Sequence, residues 1–376
     1  GMKIPLLIGG APTSRIHTAV KIAPQYSGPV IHVHDASRSV TVVSSLLSSE
    51  RDSYIAEIKA EYEKLREDHL SRTKDRAFAS IQEARANKYQ VDWAATEPTK
   101  PSFIGNKVYT NYPLQEIVPY IDWTPFFHTW ELKRQYPKIL HDPELGTEAT
   151  KLFNDAQAML QEIVDKQLLE ARAVVGFYPA NVEADDTIEV YADDSRENVL
   201  TEFHTLRQQG KKGANVPNLA FSDFLAPKET GIADYIGGFV VSAGFGIEKM
   251  LEQYEAEHDD YKSIMMKALA DRLAEAFAEL MHLKVRKELW GYAADEQLDN
   301  EGLIKEQYKG IRPAPGYPGY PDHTEKITLF NLLKAEKTGV ILTENLAMHP
   351  ASSVSGLYFS HPDSRYFGLG KIGEDQ

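Results

Sequence analysis

Residues 259–292, DDYKSIMMKALADRLAEAFAELMHLKVRKELWGY, form the longest helical run in the chain. Leu269, Leu273, Phe277 and Leu280 give it a broad apolar arc, and an arc that wide has to be covered by other elements. The elements available to cover it read as strand pairs, not as strands alternating with helices. AVVGFYPANVEADDTIEVYAD (173–193) places two strands around a polar turn, and DYIGGFVVSAGF (234–245) is a glycine-dotted strand. SSVSGLYFSHPDSRYFGLGKIG (352–373) reads as a hairpin with HPDS as its turn. A further helix covers roughly 145–171. Strands without regular helical crossovers predict an α+β fold with an antiparallel sheet.

The first 48 residues read differently. IPLLIGG and GPVIHVHD are short apolar runs bounded by glycine or charge, and SRIHTAVKIAPQY and ASRSVTVVSSLLSS carry helical spacing. That is a βαβα piece of a parallel sheet, too short to cover both faces of one. It is read as the tail of a larger α/β domain. Residues 49–88 are charged and helix-friendly with little apolar face, which suits a linker helix. The prolines of TEPTKPSF (96–103) mark a boundary. The expected organisation is therefore a remnant over 1–48, a linker over 49–100 and the main domain over 101–376.

Composition narrows the chemistry. The 376 residues include no cysteine, so disulfides, cysteine-held zinc, iron–sulfur clusters and thiol catalysis are excluded within this chain. No signal peptide and no spanning apolar run is found, and the expected location is the cytoplasm, away from membranes. A net charge of −14 disfavours nucleic acid and suits a cationic ligand or a basic protein surface. H-E-x-x-H, G-x-S-x-G and P-loop motifs are missing, and SAGFG lacks the third glycine of a dinucleotide fingerprint. No catalytic residues and no metal ligands are assigned.

Three places invite a binding role. RPAPGYPGYPDH (312–323) fixes four φ angles and removes four backbone donors, while Gly316 and Gly319 permit close backbone approach. Such a loop is either a stiff crossover or a pre-organised platform, with Arg312 suited to a carboxylate and Tyr317 offering a ring and a hydroxyl. In IDWTPFFHTW (121–130), Asp122 is either a helix cap or a carboxylate in an aromatic wall. On the long helix, Lys267, Asp271, Glu275 and Glu279 recur at steps of four, either as a solvated edge or as an edge that meets a basic partner. Tyr366 and Phe367 follow Arg365, as ordinary strand packing would allow. Residue chemistry by itself names no reaction.

YIDWTPFFHTW, HDDYKSIMMKALADRLAEAFAE, GIRPAPGYP, HTEK and SVSGLYFSHPDSRYF, in this order, resemble cobalamin-dependent methionine synthase, specifically its C-terminal reactivation domain. The resemblance covers roughly 100–376. The opening PLLIGGAPTS…HTAVKIAPQYSGPV…ASRSV resembles the end of the same family's cobalamin-binding domain. It implies a C-shaped α+β domain that binds S-adenosylmethionine through R-x-x-x-G-Y, here Arg312, Gly316 and Tyr317, with Ala314 between them. It further assigns Asp122, Glu306, Tyr366 and Phe367 to the ligand, Ala36 to cobalamin, and Asp271 and Glu275 to docking of the cobalamin domain. The implied chemistry is repair: a reductase such as flavodoxin supplies an electron to cob(II)alamin, and S-adenosylmethionine supplies the methyl group. Zinc and cobalamin belong to the full-length enzyme. The cobalt-ligating D-x-H-x-x-G motif and the zinc cysteines are absent here, so the chain is expected to be part of a methyltransferase that does not turn over alone. The alternative is a docking module for a cobalamin domain or flavodoxin without small-molecule binding.

Overall fold

The computed structural model describes residues 4–9, 14–33, 36–74, 78–184 and 186–376; the side chains of 36–41 and 69–74 lie outside the described set. The chain divides into two compact units, Gly1–Phe78 and Ala79–Gln376.

In the first unit, β1 (Leu6–Gly9) and β2 (Val30–Val33) pair in parallel, Leu6 opposite Val30. Helical turns over 15–25 connect them, as a parallel pair requires. Two helices follow, α1 (Ala36–Leu47) and α2 (Arg51–Lys74). The βαβα reading holds, but α2 is no free-standing linker. Tyr62 is buried and its hydroxyl accepts from the His32 amide at 2.8 Å, while Arg66 donates to the Ala19 carbonyl at 3.3 Å. A few polar contacts anchor this helix where a sequence reader looks for an apolar stripe.

The division also falls earlier than the prolines of 96–103. From Ala79 onward the chain is stapled to the second unit by bonds that composition does not reveal. Ala79 donates to the Gln209 carbonyl (2.8 Å), Asn218 to Asn87 (2.9 Å), and the Trp290 indole to Thr99 (2.7 Å).

The second unit is built from β3 (Gly105–Tyr112), α3 (Thr124–Thr129), α4 (Gly146–Asp165), β4 (Glu170–Glu183), β5 (Thr187–Tyr191), β6 (Val199–His204), β7 (Asp234–Phe245), α5 (Asp260–Lys284), α6 (Glu325–Leu333) and β8 (Ser353–Tyr358). Its sheet is antiparallel throughout, in the order β8-β7-β4-β5-β6, with β3 also on β4. β4 is long enough to share one edge: β3 takes residues 171–177 and β5 takes 180–183. Alternate residues serve two cores. Ala173, Val175, Phe239 and Val241 face α4 and α5, whereas Val174, Tyr178, Ile236 and Val240 face α6. Burial on both faces is why β4 and β7 read as near-continuous apolar runs.

The expected hairpin over 352–373 does not form. HPDS does turn, with Ser364 donating to the His361 carbonyl at 3.0 Å. One edge of β8, however, lies on β7, and Ile311–Pro313 occupies the other. Ile311 and Phe359 exchange amide bonds at 3.0 Å, and Leu357 donates to Pro313 at 2.9 Å. No edge remains for a returning strand. Gly356 permits this approach, since a Cβ there would sit 2.7 Å from the Pro313 carbonyl oxygen. Gly356→Val is therefore expected to cost about 1–3 kcal/mol through overpacking, read as a lowered midpoint in chemical denaturation. Among the described residues no helix is long and apolar enough to cross a membrane.

Candidate functional site

The proline-rich loop starts against the edge of β8, through Ile311 and Pro313, and folds back on itself. Gly316 has φ +102, and its amide donates to the Tyr320 carbonyl at 2.7 Å; Tyr320 in turn donates to Tyr317 at 2.9 Å. A side chain at Gly316 would also run into the His323 ring. The loop is thus closed by backbone bonds at its tip and by β8 at its base. Prolines fill positions where no donor is required.

This loop forms one wall of a cavity of ≈ 530 Å³. Arg312, Ala314 and Tyr317 come from the loop, Tyr366 and Phe367 from the segment after the HPDS turn, Glu306 from the chain before it, and Glu275 from α5. Phe221 and Phe239 add an apolar floor, and Phe221 packs on Phe367 with ring centroids 4.6 Å apart. The Arg312 amide donates to the Tyr366 hydroxyl at 2.9 Å, which ties the two walls together.

The Arg312 side chain is held from behind. Its Nη2 donates to Glu279 Oε2 at 2.7 Å, and its Nη1 to Tyr308 at 2.9 Å and to His282 Nδ1 at 3.1 Å. Burial opposes the guanidinium charge, but Glu279, Tyr308 and Tyr366 outweigh it and raise the pKa. A guanidinium has five N–H donors. Three are used, leaving Nε–H and one Nη2–H without an acceptor among the described residues. Arg207 shows what a structural arginine does. It is fully buried, and Asp186, Asp223 and the Asn218 carbonyl accept from Nε and both Nη groups, five bonds in all. Arg312 stops two donors short of that, in a cavity wall. Two N–H groups of one guanidinium are the set a carboxylate accepts from.

Three carboxylates lie around Arg312, one of them also 3.9 Å from Arg286. Glu275 and Glu306 line the cavity and Glu279 lies beneath Arg312. Partial burial pushes the Glu306 carboxyl up, with Arg312 opposing. The lining itself carries two carboxylates and one guanidinium, so the cavity suits a ligand that brings a carboxylate together with positive charge.

Of the residues singled out in the sequence, the cavity assembles Arg312, Ala314, Tyr317, Tyr366, Phe367 and Glu306. Glu275, assigned to docking, joins them in the wall. Asp271 is exposed and accepts from the Ser352 hydroxyl at 2.7 Å. Asp122 lies outside the lining; its Oδ1 accepts from the Thr124 amide at 2.9 Å, a side-chain turn one residue before the N-cap Trp123 of α3. Phe126 and Phe127 beside it are core. Gly316 shapes the loop without lining the cavity. The side chain of Ala36 lies outside the described residues. Sequence reasoning left Glu279 either on a solvated edge or against a basic partner; it is buried and its partner is Arg312. It missed His282, Tyr308 and Phe221. An acid between Ala278 and Leu280, on the most apolar part of the helix, is the signal that points to Glu279.

Residues 113–376 match the family model described as the activation domain of vitamin B12 dependent methionine synthase. Among solved structures, the MetH reactivation domain bound to AdoHcy is similar at 49% identity, covering 78% of this chain and 90% of that one, with a TM-score of 0.76. The expected α+β fold with its central antiparallel sheet is the fold of that domain. The match covers the loop, the long helix and the cavity they form, and this chain belongs to the family of activation domains of cobalamin-dependent methionine synthase, a methyltransferase.

Proposed function

We propose that the chain binds S-adenosylmethionine in the Arg312 cavity and so supports the reductive methylation that returns cob(II)alamin to methylcobalamin. The observation that carries this is the pair of unused Arg312 donors in a cavity with an excess of carboxylates. S-adenosylmethionine offers what that arrangement asks for: a carboxylate for Arg312, and an ammonium and a sulfonium for Glu275 and Glu306. Tyr317, Tyr366 and Phe367 supply ring faces for the sulfonium and the adenine. Asp122 is proposed as a further acceptor for the ammonium, secondary to the acids already in the wall. The relative with AdoHcy bound supports a ligand of this class.

Cobalamin, reduced by one electron, supplies the nucleophile when it is present. The residues of this chain bind and orient the methyl donor, and no general base is needed because no proton moves. Titration calorimetry of the chain with S-adenosylmethionine tests the reading. A single saturable site is expected, and no binding at millimolar ligand would sink it.

The wider setting is also proposed. Residues 1–48 are read as the end of a cobalamin-binding domain, with Ala36 as its cobalamin contact, and the rest of the cobalamin and zinc chemistry as belonging to the whole enzyme. Partners are that enzyme's cobalamin domain and flavodoxin or another reductase, in the cytoplasm, with no role for nucleic acid or membrane. Asp271 is proposed as a docking acid. Because Glu275 lines the cavity, the two acids are tested separately. Asp271→Asn in the multidomain enzyme is expected to slow methylcobalamin recovery while S-adenosylmethionine affinity stays unchanged; recovery at the wild-type rate would remove Asp271 from docking.

A further inference from the structure

We infer that His282 is a positioning residue for Arg312: its Nδ1 lone pair sets the plane of the guanidinium and so aims the two unused donors into the cavity. The inference rests on the ligand reading above.

Glu279 and His282 stand three residues apart on one face of α5 and hold opposite ends of the guanidinium. Glu279 takes Nη2 and His282 takes Nη1. The imidazole is itself fixed. It is fully buried, parallel to the Tyr358 ring at 5.3 Å between centroids and edge-on to Tyr308 at 4.8 Å. Its tautomer follows from its neighbours. Arginine can only donate, so Nδ1 carries the lone pair and Nε2 the proton. Nε2 lies 3.3 Å from the Tyr292 hydroxyl, which accepts that proton's hydrogen bond. The charged or titratable groups facing the ring are Arg312, Arg286, Glu279, Tyr292, Tyr308 and Tyr358. Burial, then the two guanidinium charges, push the imidazole well below its ordinary pKa, so the acceptor is present wherever an exposed histidine would titrate.

A neutral acceptor has a distinct use here. Glu279 already balances the arginine's charge, and Arg286 lies 3.9 Å from that carboxylate. A second carboxylate in place of His282 would compete with an incoming carboxylate for the same cation. An imidazole orients the guanidinium and leaves its remaining attraction for the ligand.

The test compares His282→Leu, which removes the acceptor, with His282→Asn, whose Oδ1 restores a neutral acceptor near the place of Nδ1. Both are titrated with S-adenosylmethionine in the 376-residue chain, with melting temperature measured alongside. His282→Leu is expected to weaken binding about tenfold or more and His282→Asn by no more than roughly threefold. A leucine variant within about twofold of wild type, with Arg312→Ala still defective, overturns the role of His282 and leaves the ligand reading standing. If the wild-type chain binds no S-adenosylmethionine, the ligand reading fails instead. The tautomer is then decided by nitrogen-15 NMR of the labelled histidine, which also applies if the leucine variant does not fold. A bare Nδ1 with a protonated Nε2 is expected; a proton on Nδ1, or an imidazolium, overturns the inference.

Discussion

Arg312→Ala is expected to lose S-adenosylmethionine binding by about 1.5–3 kcal/mol or more, because charge-assisted hydrogen bonds to the ligand carboxylate go with the side chain. A second effect accompanies the first. Glu279 is buried and its Oε2 accepts from Arg312 at 2.7 Å, so the truncation leaves a carboxylate without its main partner. Breaking a buried pair from one side costs about 3–5 kcal/mol. Arg286, 3.9 Å from Oε1 of the same acid, offsets part of that. Calorimetric titration and chemical denaturation of the variant separate the two losses. The double variant Arg312→Ala with Glu279→Ala should recover much of the stability and none of the affinity. Unchanged ligand affinity in Arg312→Ala would remove the cavity from consideration.

The largest loss of stability is expected away from the cavity, at Arg207. Its guanidinium has no exposed surface and holds Asp186 at 2.6 Å and Asp223 at 2.7 Å. Arg85 reaches Asp186 from the other side at 2.9 Å, but it is partly exposed. Arg207→Met fills similar volume and leaves two buried carboxylates facing each other with one peripheral cation. A loss of about 3–5 kcal/mol is expected, measured as the shift in urea midpoint. Replacing both acids as well (Asp186→Asn, Asp223→Asn) should return a large part of it, because the penalty belongs to the stranded charges. A midpoint within experimental error of wild type would show that the network contributes nothing net.

These two arginines also show where sequence reading stops. Arg312 sits in a segment whose composition is unusual enough to be noticed, and its loop has the rigidity that four prolines imply. Arg207 lies in an unremarkable polar stretch, TLRQQGKKG, and its acids are 21 and 16 residues away, so no local pattern exposes it. The strands β4 and β7 were legible because both faces are buried and their runs are apolar. The hairpin after β8 was misread because its turn is real; what excludes the second strand is the Ile311–Pro313 segment, some forty residues earlier in the chain. Asp122 had two readings that residue type cannot separate; its Oδ1 accepts from the Thr124 amide just before α3. Helical periodicity showed that Lys267, Asp271, Glu275 and Glu279 share a row; only the apolar neighbours of Glu279 mark the covered end.

That row has a mechanical consequence. Each step of four residues advances about 6 Å along a helix axis. On α5 it passes from an exposed lysine, through Asp271 on the Ser352 hydroxyl, to Glu275 in the cavity wall and Glu279 beneath Arg312. A helix closed by its own backbone bonds transmits axial and tilting displacements with little loss. Asp271 is therefore held at a fixed distance from the cavity wall one turn away and from the guanidinium support two turns away, all three on one rigid element.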